Sequence, residues 1–376
     1  MEEKSKEISV RVPNIFDYAT GELSQDAFIC WLIKLADCEG HELQAASKEF
    51  IALLCRIGGK DKDVSSFDVS AIQKLSQQKE EKIDVFFIAV IKGNKTCFII
   101  EDKVDSQPHS GQLQRYYDHV LKKYPEHSIV KIYFKTGYLF ENDSKECEKA
   151  EYGILDYRTI NNFLFSVKTQ DVIFTSYRDF IHRKFFNRYE EGLKAMKEES
   201  GHQLLNNDFI QYEFVKLLSD VCQETIGPKN IKTGVSLGSD KWAHYRFIWL
   251  KDALGEGKHE RVWYRIEPRK NKGTGKNCFC LSIRQFSEDL NDQQKKIKLD
   301  RLRKYKEIFK EISGKTTDIV FTKPQVDRTG SNSSEISLLF FDGNKNSIQN
   351  VLEYLPVIHK EFVSTIQQVS DDNFHK

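Results

Sequence analysis

The chain has 376 residues, of which 39% are hydrophobic and 30% are charged, which is enough to bury the cores of two domains. Its formal net charge of +1 excludes nucleic-acid binding by bulk charge, so any such binding must come from local basic patches. No run approaches the roughly 20 apolar residues that span a bilayer, so we expect no membrane contact.

The hydrophobic pattern of the first half of the chain predicts a mixed α/β domain. Phe28, Trp31 and Leu32 recur at helical spacing after Ser24, a candidate N-cap. The predicted elements are helices at 24–37 and 41–56, strands at 66–76, 83–91 and 96–104, a helix at 109–123, a strand at 128–136, a short strand and then a helix within 152–165, and an amphipathic helix at 173–197. This order favours a small central sheet flanked by helices.

A polar stretch, KEESGHQLLNND, follows these elements and predicts a domain boundary near 198–206. We therefore divide the chain into domains 1–200 and 201–376. The second domain is predicted to be α+β, with helices at 207–226, 289–312 and 346–367 and strands at 242–250, 260–267, 277–285 and 334–341.

Two adjacent predicted strands carry charge within otherwise apolar runs, in the segment KIDVFFIAVIKGNKTCFIIEDK. Gly93 and Asn94 tolerate the positive φ angles of a two-residue hairpin loop, so we predict the loop there. Such a loop places Lys92 opposite Lys95 and defines the register of the whole hairpin.

That predicted register brings three charged side chains together. Asp84 lies opposite Lys103, and Phe86 lies opposite Glu101. Because side chains alternate between the two faces of a strand, Asp84, Glu101 and Lys103 share one face. Directly opposed Cβ atoms lie about 4.5–5.5 Å apart, so the three groups converge.

Two adjacent carboxylates repel each other, which raises a pKa or calls for a cation. A few hard oxygen ligands suit Mg²⁺, which keeps waters and bridges to phosphate oxygens, and Lys103 is placed to orient an attacking water. The pattern favours phosphodiester hydrolysis. An ordinary Asp84–Lys103 salt bridge is the alternative, but the apolar run before Glu101 weighs against it, because burial of an acid without function is costly.

These residues resemble the signature of the PD-(D/E)XK nuclease superfamily, with Asp84 in KIDVFF and the acid-x-lysine triplet in IIEDK. Ile83 stands where that signature has proline. Gln112 and Tyr116 in QLQRY resemble the QxxxY element of its RecB-like and λ-exonuclease-like branches. The segment NIFDYATGELSQDAFICWLIKLAD is similar to the opening of a prokaryotic branch of these nucleases.

The resemblance implies a restriction-endonuclease-like core, a mixed central sheet flanked by helices, that hydrolyses nucleic acid with Mg²⁺, or with Mn²⁺ as a substitute. DNA is the favoured substrate, and prokaryotic defence or DNA repair is the implied setting. The resemblance further implies that Asp84, Glu101, Glu22 and the main-chain carbonyl of Asp102 hold the metal. Lys103 then positions the attacking water.

Gln112 and Tyr116 are four residues apart on one helix face, so both are expected at the site, touching a phosphate or orienting the lysine. Arg115 beside them is a candidate phosphate contact. Simpler roles stay open: packing for the first two, solvation for Arg115, and for Glu22 an interaction with the positive N-terminal end of its helix.

The second predicted domain carries a basic loop, RKNKGTGK, between two strands. Lys270, Lys272 and Lys276 in this loop, and the lysines of 292–310, are candidate contacts to a nucleic-acid backbone. A solvated hairpin and a solvated helix face are the alternatives. GTGK is not a nucleotide-binding loop, because lysine replaces the first glycine of GxxxxGK.

None of the eight cysteines forms a CxxC pair or a zinc-ligand cluster, so we expect reduced thiols and a cytoplasmic protein. The leading hypothesis is an active nuclease, because every charged member of the signature is present. The alternatives are a catalytically silent nucleic-acid-binding or scaffold protein and a nuclease that acts on RNA. A homo-oligomer or a partner protein is compatible with each hypothesis.

Overall fold

The computed structural model describes residues 13–19, 21–59, 61–109, 111–196, 208–226, 232–236, 242–325, 332–341 and 346–372. The chain divides into two compact units, Met1–Asn187 and Arg188–Lys376. The boundary predicted near 198–206 lies outside the described residues. Division into domains 1–200 and 201–376 therefore stays a prediction.

The first unit alternates helices and strands. Its helices are α1 (Gly21–Lys34), α2 (Gln44–Gly58), α3 (Gln112–Lys123), α4 (Glu141–Ala150), α5 (Tyr157–Ser166) and α6 (Val172–Ile181). Its strands are β1 (Val69–Gln77), β2 (Val85–Ile91), β3 (Asn94–Lys103), β4 (Ser128–Lys135) and β5 (Gly153–Asp156).

These strands form one sheet in the order β1-β2-β3-β4-β5. The first three strands pair antiparallel, whereas β3, β4 and β5 pair parallel. Parallel neighbours need crossover connections, which α3 and α4 supply. The predicted mixed sheet flanked by helices is confirmed.

Both faces of the sheet are buried where β2 pairs with β3. Phe86 and Ile99 lie in one buried cluster with Tyr116 of α3. On the opposite face Phe87 stacks on Phe98, with ring centroids 4.2 Å apart. Charged side chains near these positions therefore stand beside an apolar core, where any unpaired charge would be costly.

The hairpin between β2 and β3 turns one residue earlier than predicted. Its loop residues are Lys92 and Gly93, whose φ angles are +49° and +78°, as a two-residue turn of this kind requires. Phe86 consequently pairs with Ile99 and not with Glu101. The register differs from the prediction by two residues, which keeps every side chain on its predicted face.

The prediction of Ser24 as an N-cap is wrong, because helix α1 begins at Gly21 and Ser24 lies inside it. The polar helix α4 has no predicted counterpart. The helix predicted at 173–197 is confirmed as a continuous helical stretch over 172–195. It consists of α6, a π-helical turn (His182–Phe186) that was not predicted, and α7 (Asn187–Ala195).

The second unit is α+β, as predicted. Its described helices are α8 (Asp208–Ile226), α9 (Asp292–Ser313) and α10 (Ile348–Asp372). Its described strands are β6 (Lys232–Ser236), β7 (Trp242–Leu250), β8 (Glu260–Lys270), β9 (Asn277–Phe286) and β10 (Ser333–Phe340), of which β6 has no predicted counterpart. The strands pair antiparallel in the order β10-β9-β8-β7-β6.

Candidate active site

The predicted charged cluster forms at the carboxyl-terminal end of β3. Lys103 Nζ lies 2.5 Å from Glu101 Oε1 and 3.3 Å from Asp84 Oδ2. It also donates a hydrogen bond to the Asp102 carbonyl at 2.9 Å. The predicted opposition of Asp84 and Lys103 is wrong, because the observed register carries Asp84 toward Glu101. The three side chains nevertheless converge on one face.

Burial controls the charges in this cluster. Glu101 is 0% exposed and Lys103 is 8% exposed. Burial, reinforced by the Asp84 carboxylate and opposed by Lys103, raises the pKa of Glu101 to about 8. Burial alone would lower the pKa of Lys103, but Glu101 and Asp84 hold it above its ordinary value. The Lys103 ammonium therefore stays charged and acts as a hydrogen-bond donor.

The QxxxY residues hold Glu101 in place. Gln112 Nε2 donates to Glu101 Oε1 at 2.7 Å and to the Tyr116 hydroxyl at 2.9 Å. The Tyr116 hydroxyl in turn donates to the Lys82 carbonyl at 3.1 Å, and Gln112 Oε1 accepts from the His109 N–H at 3.0 Å. Both side chains are buried. In this arrangement Gln112 orients the glutamate, whereas the sequence predicted contact with a phosphate or with the lysine.

Asp102 turns its side chain to the opposite face of the sheet, as alternation predicts. There its Oδ1 accepts a hydrogen bond from Gln25 Nε2 of α1, and burial together with the Asp26 carboxylate raises its pKa. Burial and the Asp84 charge likewise raise the pKa of Asp26 to about 7. The Asp102 N–H donates to Asp84 Oδ2 at 2.9 Å. Asp102 thus anchors β3 from behind the charged cluster.

A family model described as the PD-(D/E)XK nuclease superfamily matches residues 13–188. The chain is similar to this superfamily over those residues, which make up less than half of its length. The mixed five-stranded sheet flanked by helices is consistent with the restriction-endonuclease-like fold of that superfamily, and a second α+β unit follows it in the chain. No curated protein and no solved structure matches the chain significantly. Among the described helices, none is long and apolar enough to cross a membrane.

In the PD-(D/E)XK segment, Glu22 lies in the first turn of α1 and reaches the loop after β3. Its Oε1 accepts hydrogen bonds from the Val104 N–H at 3.1 Å and from Ser106 Oγ at 2.6 Å. Glu22 therefore does more than interact with the end of its own helix. It tethers the chain that directly follows Lys103, which places its carboxylate next to the cluster.

Lys135 of β4 is a second buried lysine of the PD-(D/E)XK segment that sequence reasoning missed. It lies beside Lys103 in the parallel register of β3 and β4 and is 0% exposed. Its Nζ donates to the Ser106 carbonyl at 2.6 Å and lies 3.7 Å from Asp143 Oδ2. Burial lowers the pKa of Lys135, and Asp143 opposes this shift. Lys135 ends the apolar run IYFK, just as the charges of IIEDK end an apolar run. A charge at the end of an apolar run is therefore the sequence signal that could have identified Lys135.

The carboxylates of the PD-(D/E)XK cluster fit a divalent cation that keeps some of its waters. Glu101 Oε2 is buried and receives no hydrogen bond from any donor among the described residues. The described residues contain no group of three or more His, Cys, Asp or Glu that could hold a metal. Mg²⁺ is compatible with such a small set, because it is commonly bound by one or two carboxylates together with waters and substrate phosphates.

The predicted nucleic-acid contacts are all exposed: Arg115, Lys270, Lys272 and Lys276. In the β8–β9 loop, Lys272 Nζ donates to the Gln325 carbonyl at 3.2 Å, which limits its freedom. On α9, Lys295 and Arg303 each pair with an aspartate of their own helix. These ion pairs favour the solvated alternative for α9 and leave the β8–β9 loop as the stronger basic candidate of the second unit.

Proposed function

We propose that the protein is a Mg²⁺-dependent nuclease that hydrolyses phosphodiester bonds, with DNA as the favoured substrate and Mn²⁺ as a substitute metal. The observation that supports this best is the contact of one ammonium, Lys103 Nζ, with both Asp84 and Glu101. The similarity of residues 13–188 to the nuclease superfamily supports the same reaction class. Prokaryotic defence or DNA repair is the setting that the sequence resemblance favours.

Asp84 and Glu101 are proposed to hold the metal together with the main-chain carbonyl of Asp102. Glu22 is proposed to join them when the metal binds, since the three carboxylates do not form a preformed group. A divalent cation bound there would lower the pKa of a water molecule and neutralise charge that develops on the phosphate. The uncompensated Glu101 Oε2 supports this assignment, because an oxygen buried without a donor is otherwise costly.

The remaining groups of the cluster orient the reactants. The raised pKa of Lys103 favours a role as a charged donor that orients the attacking water and stabilises negative charge on the phosphate. Gln112 fixes the Glu101 carboxylate, and Tyr116 fixes Gln112. The low exposure of the cluster strengthens each of these electrostatic interactions.

The test incubates the full-length chain with plasmid DNA, linear duplex, single-stranded DNA and RNA, in Mg²⁺, in Mn²⁺ and in chelator. We expect metal-dependent cleavage of DNA that is lost in Lys103→Ala and retained in Lys122→Ala, a matched change at an exposed lysine of α3. Cleavage that persists in Lys103→Ala would contradict the proposed mechanism.

The same experiment separates the two alternatives. Binding of DNA without cleavage under any metal condition would favour a catalytically silent binding protein. Cleavage of RNA but not of DNA would favour a ribonuclease that uses the same residues.

A further inference from the structure

An open pocket lies beside the charged cluster, between the amino-terminal end of α1 and the helical segment formed by α6 and the π-helical turn. It spans about 330 Å³, a volume that includes open solvent at its mouth. Its aromatic lining consists of Phe16, Tyr177, Phe180 and Phe185. Lys184 is the cationic residue of the lining.

The pocket borders the cluster at the chain segment that directly follows β3. Val104, which directly follows Lys103, lines the pocket and donates its N–H to Glu22 Oε1. Gln25 also lines the pocket, and it donates to Asp102 Oδ1 on the face of the sheet opposite the charged side chains. Because Glu22 is proposed to hold the metal, a strand whose phosphate binds there places a neighbouring nucleotide next to the pocket.

The lining combines ring surfaces with an available positive charge. Phe16 and Phe180 are half-buried, and Lys184 is exposed. Lys184 Nζ lies 5.0 Å from the centroid of the Phe180 ring, and no carboxylate among the described residues pairs with it. Aromatic rings can stack on a base, and a nearby cation can contact a phosphate. The lining is therefore complementary to a nucleotide.

The local backbone supports a specialised role for this wall. The π-helical turn contributes both Lys184 and Phe185 to the lining. Single π-helical turns are rare in proteins overall, but those that occur often lie at functional sites. The extra residue in the turn redirects side chains that a regular helix would place elsewhere. Here the two redirected side chains are a ring and a cation.

We propose that this pocket receives one unpaired nucleobase of the strand being cut, with Lys184 at its phosphate. The inference rests on the proposed function and names its substrate class, a nucleic acid with single-stranded character near the scissile bond. A base within a duplex is stacked and paired, so it enters a pocket only after extrusion, which costs a few kcal/mol.

The test uses the full-length chain carrying Lys103→Ala, so that the nucleic acid stays intact, and measures Kd by fluorescence anisotropy. The probes are a labelled single-stranded DNA, its duplex and an RNA of the same sequence. Phe180→Leu removes a ring but keeps its apolar volume, and Lys184→Ala removes the charge. Phe67→Leu changes a 97% exposed ring outside the pocket and is the matched control.

We expect Phe180→Leu and Lys184→Ala each to weaken single-strand binding by about five-fold or more. Duplex binding should change by less than about two-fold, and Phe67→Leu should match the parent. An equal loss on the RNA would support recognition of the base irrespective of the sugar.

Three results would overturn the inference. These are no measurable single-strand binding, unchanged single-strand Kd in both pocket variants with parental melting temperatures, and an equal loss for single strand and duplex. Failure of the proposed function would show separately, as the absence of metal-dependent cleavage by the unmodified chain, which this binding measurement does not require.

Discussion

The two oxygens of the Glu101 carboxylate have different surroundings. Oε1 accepts a hydrogen bond from Gln112 at 2.7 Å and contacts Lys103 at 2.5 Å, whereas Oε2 is buried and has no donor within the described part of the chain. The neighbours of Oε1 therefore fix the side chain and leave Oε2 available to a cation. Gln112 has a larger role than its exposed helical neighbours, since its own rotamer is held by Tyr116 and His109.

Replacing Gln112 tests this orientation. We expect Gln112→Ala to lower the single-turnover cleavage rate by about 10- to 100-fold, as is typical when a group that orients a metal ligand is lost. We also expect half-maximal activity to require more Mg²⁺. The control is Gln114→Ala, which lies on the same helix but is exposed and, in the described ranges, is hydrogen-bonded to Asp118 alone. Equal rates in the two variants would contradict the role of Gln112.

Individual site residues can be predicted from the sequence when a charge interrupts an apolar run. Asp84, Glu101 and Lys103 could be recognised because each charge interrupts an apolar run. Lys135 interrupts another such run, but its proximity to Lys103 depends on the parallel register of β3 and β4, which the sequence does not reveal. The contact between Gln112 and Glu101 was equally hidden, because it depends on how α3 packs on the sheet.

Among the elements, the β2–β3 hairpin shows why a wrong register could still predict the right face. Side chains along a strand alternate with a period of two, so an error of two residues leaves them on the same face, whereas an error of one would have reversed them. The correct loop was difficult to predict because Lys92 adopts a φ of +49°, which is uncommon for a residue other than glycine, asparagine or aspartate.

Substitutions in the loop distinguish the observed turn from the predicted one. Gly93→Ala should lower the free energy of unfolding by about 1–2 kcal/mol, because Gly93 has a φ of +78° and no neighbouring atom would clash with a new Cβ. Asn94→Ala should change it by less than about 0.5 kcal/mol, because Asn94 is an exposed residue of β3. Urea unfolding measures the free energy of unfolding of both variants. A large decrease in Asn94→Ala would support the predicted loop, Gly93 and Asn94, instead.

Elements without strong periodicity were missed. Helix α4, with the sequence ENDSKECEKA, buries few of its residues, so its hydrophobic pattern is weak. Strand β6 has only five residues. The π-helical turn within the helix predicted at 173–197 has no composition signal of its own, although it redirects two side chains of the proposed nucleobase pocket.

For the whole molecule, acid sensitivity follows from ion pairs that join distant parts of the first unit. Glu80 precedes β2 and is 6% exposed. It bonds to Lys123 and to His119 of α3 and, at 2.7 Å, to Lys74 of β1. Burial alone would raise its pKa, but these partners lower the pKa of Glu80 from its ordinary value of 4.5 to about 2.

A lowered pKa in the folded state gives stability that is fully present above about pH 4.5 and is lost as the pH falls toward 2. Glu80→Gln should therefore be less stable than the unmodified chain at pH 7, by about 1–3 kcal/mol, and this difference should shrink between pH 4.5 and pH 2. Glu141→Gln, in an exposed pair with Lys145, is the control and should differ little at any pH. Thermal unfolding across this range measures the difference, and a gap that stays constant with pH would contradict the assignment.

The position of the domain boundary stays a prediction, because it falls outside the described residues. The polar stretch after residue 196 predicts a boundary near 198–206, whereas the compact units divide at Asn187. A boundary between compact units depends on which unit each residue contacts. A polar composition indicates only that a segment is exposed to solvent. The α+β class of the second unit could be predicted because its strands and helices are long and strongly patterned.

We propose that Asp84 and Glu101 form one cation site around Lys103. Isothermal titration of the 376-residue chain with Mn²⁺ at neutral pH tests this, with Asp84→Asn and Glu101→Gln as variants and Glu80→Gln as a control at another buried acid. We predict that both variants bind Mn²⁺ at least about ten-fold more weakly than the unmodified chain, while the control binds normally. Unchanged affinity in Asp84→Asn and Glu101→Gln would contradict the claim.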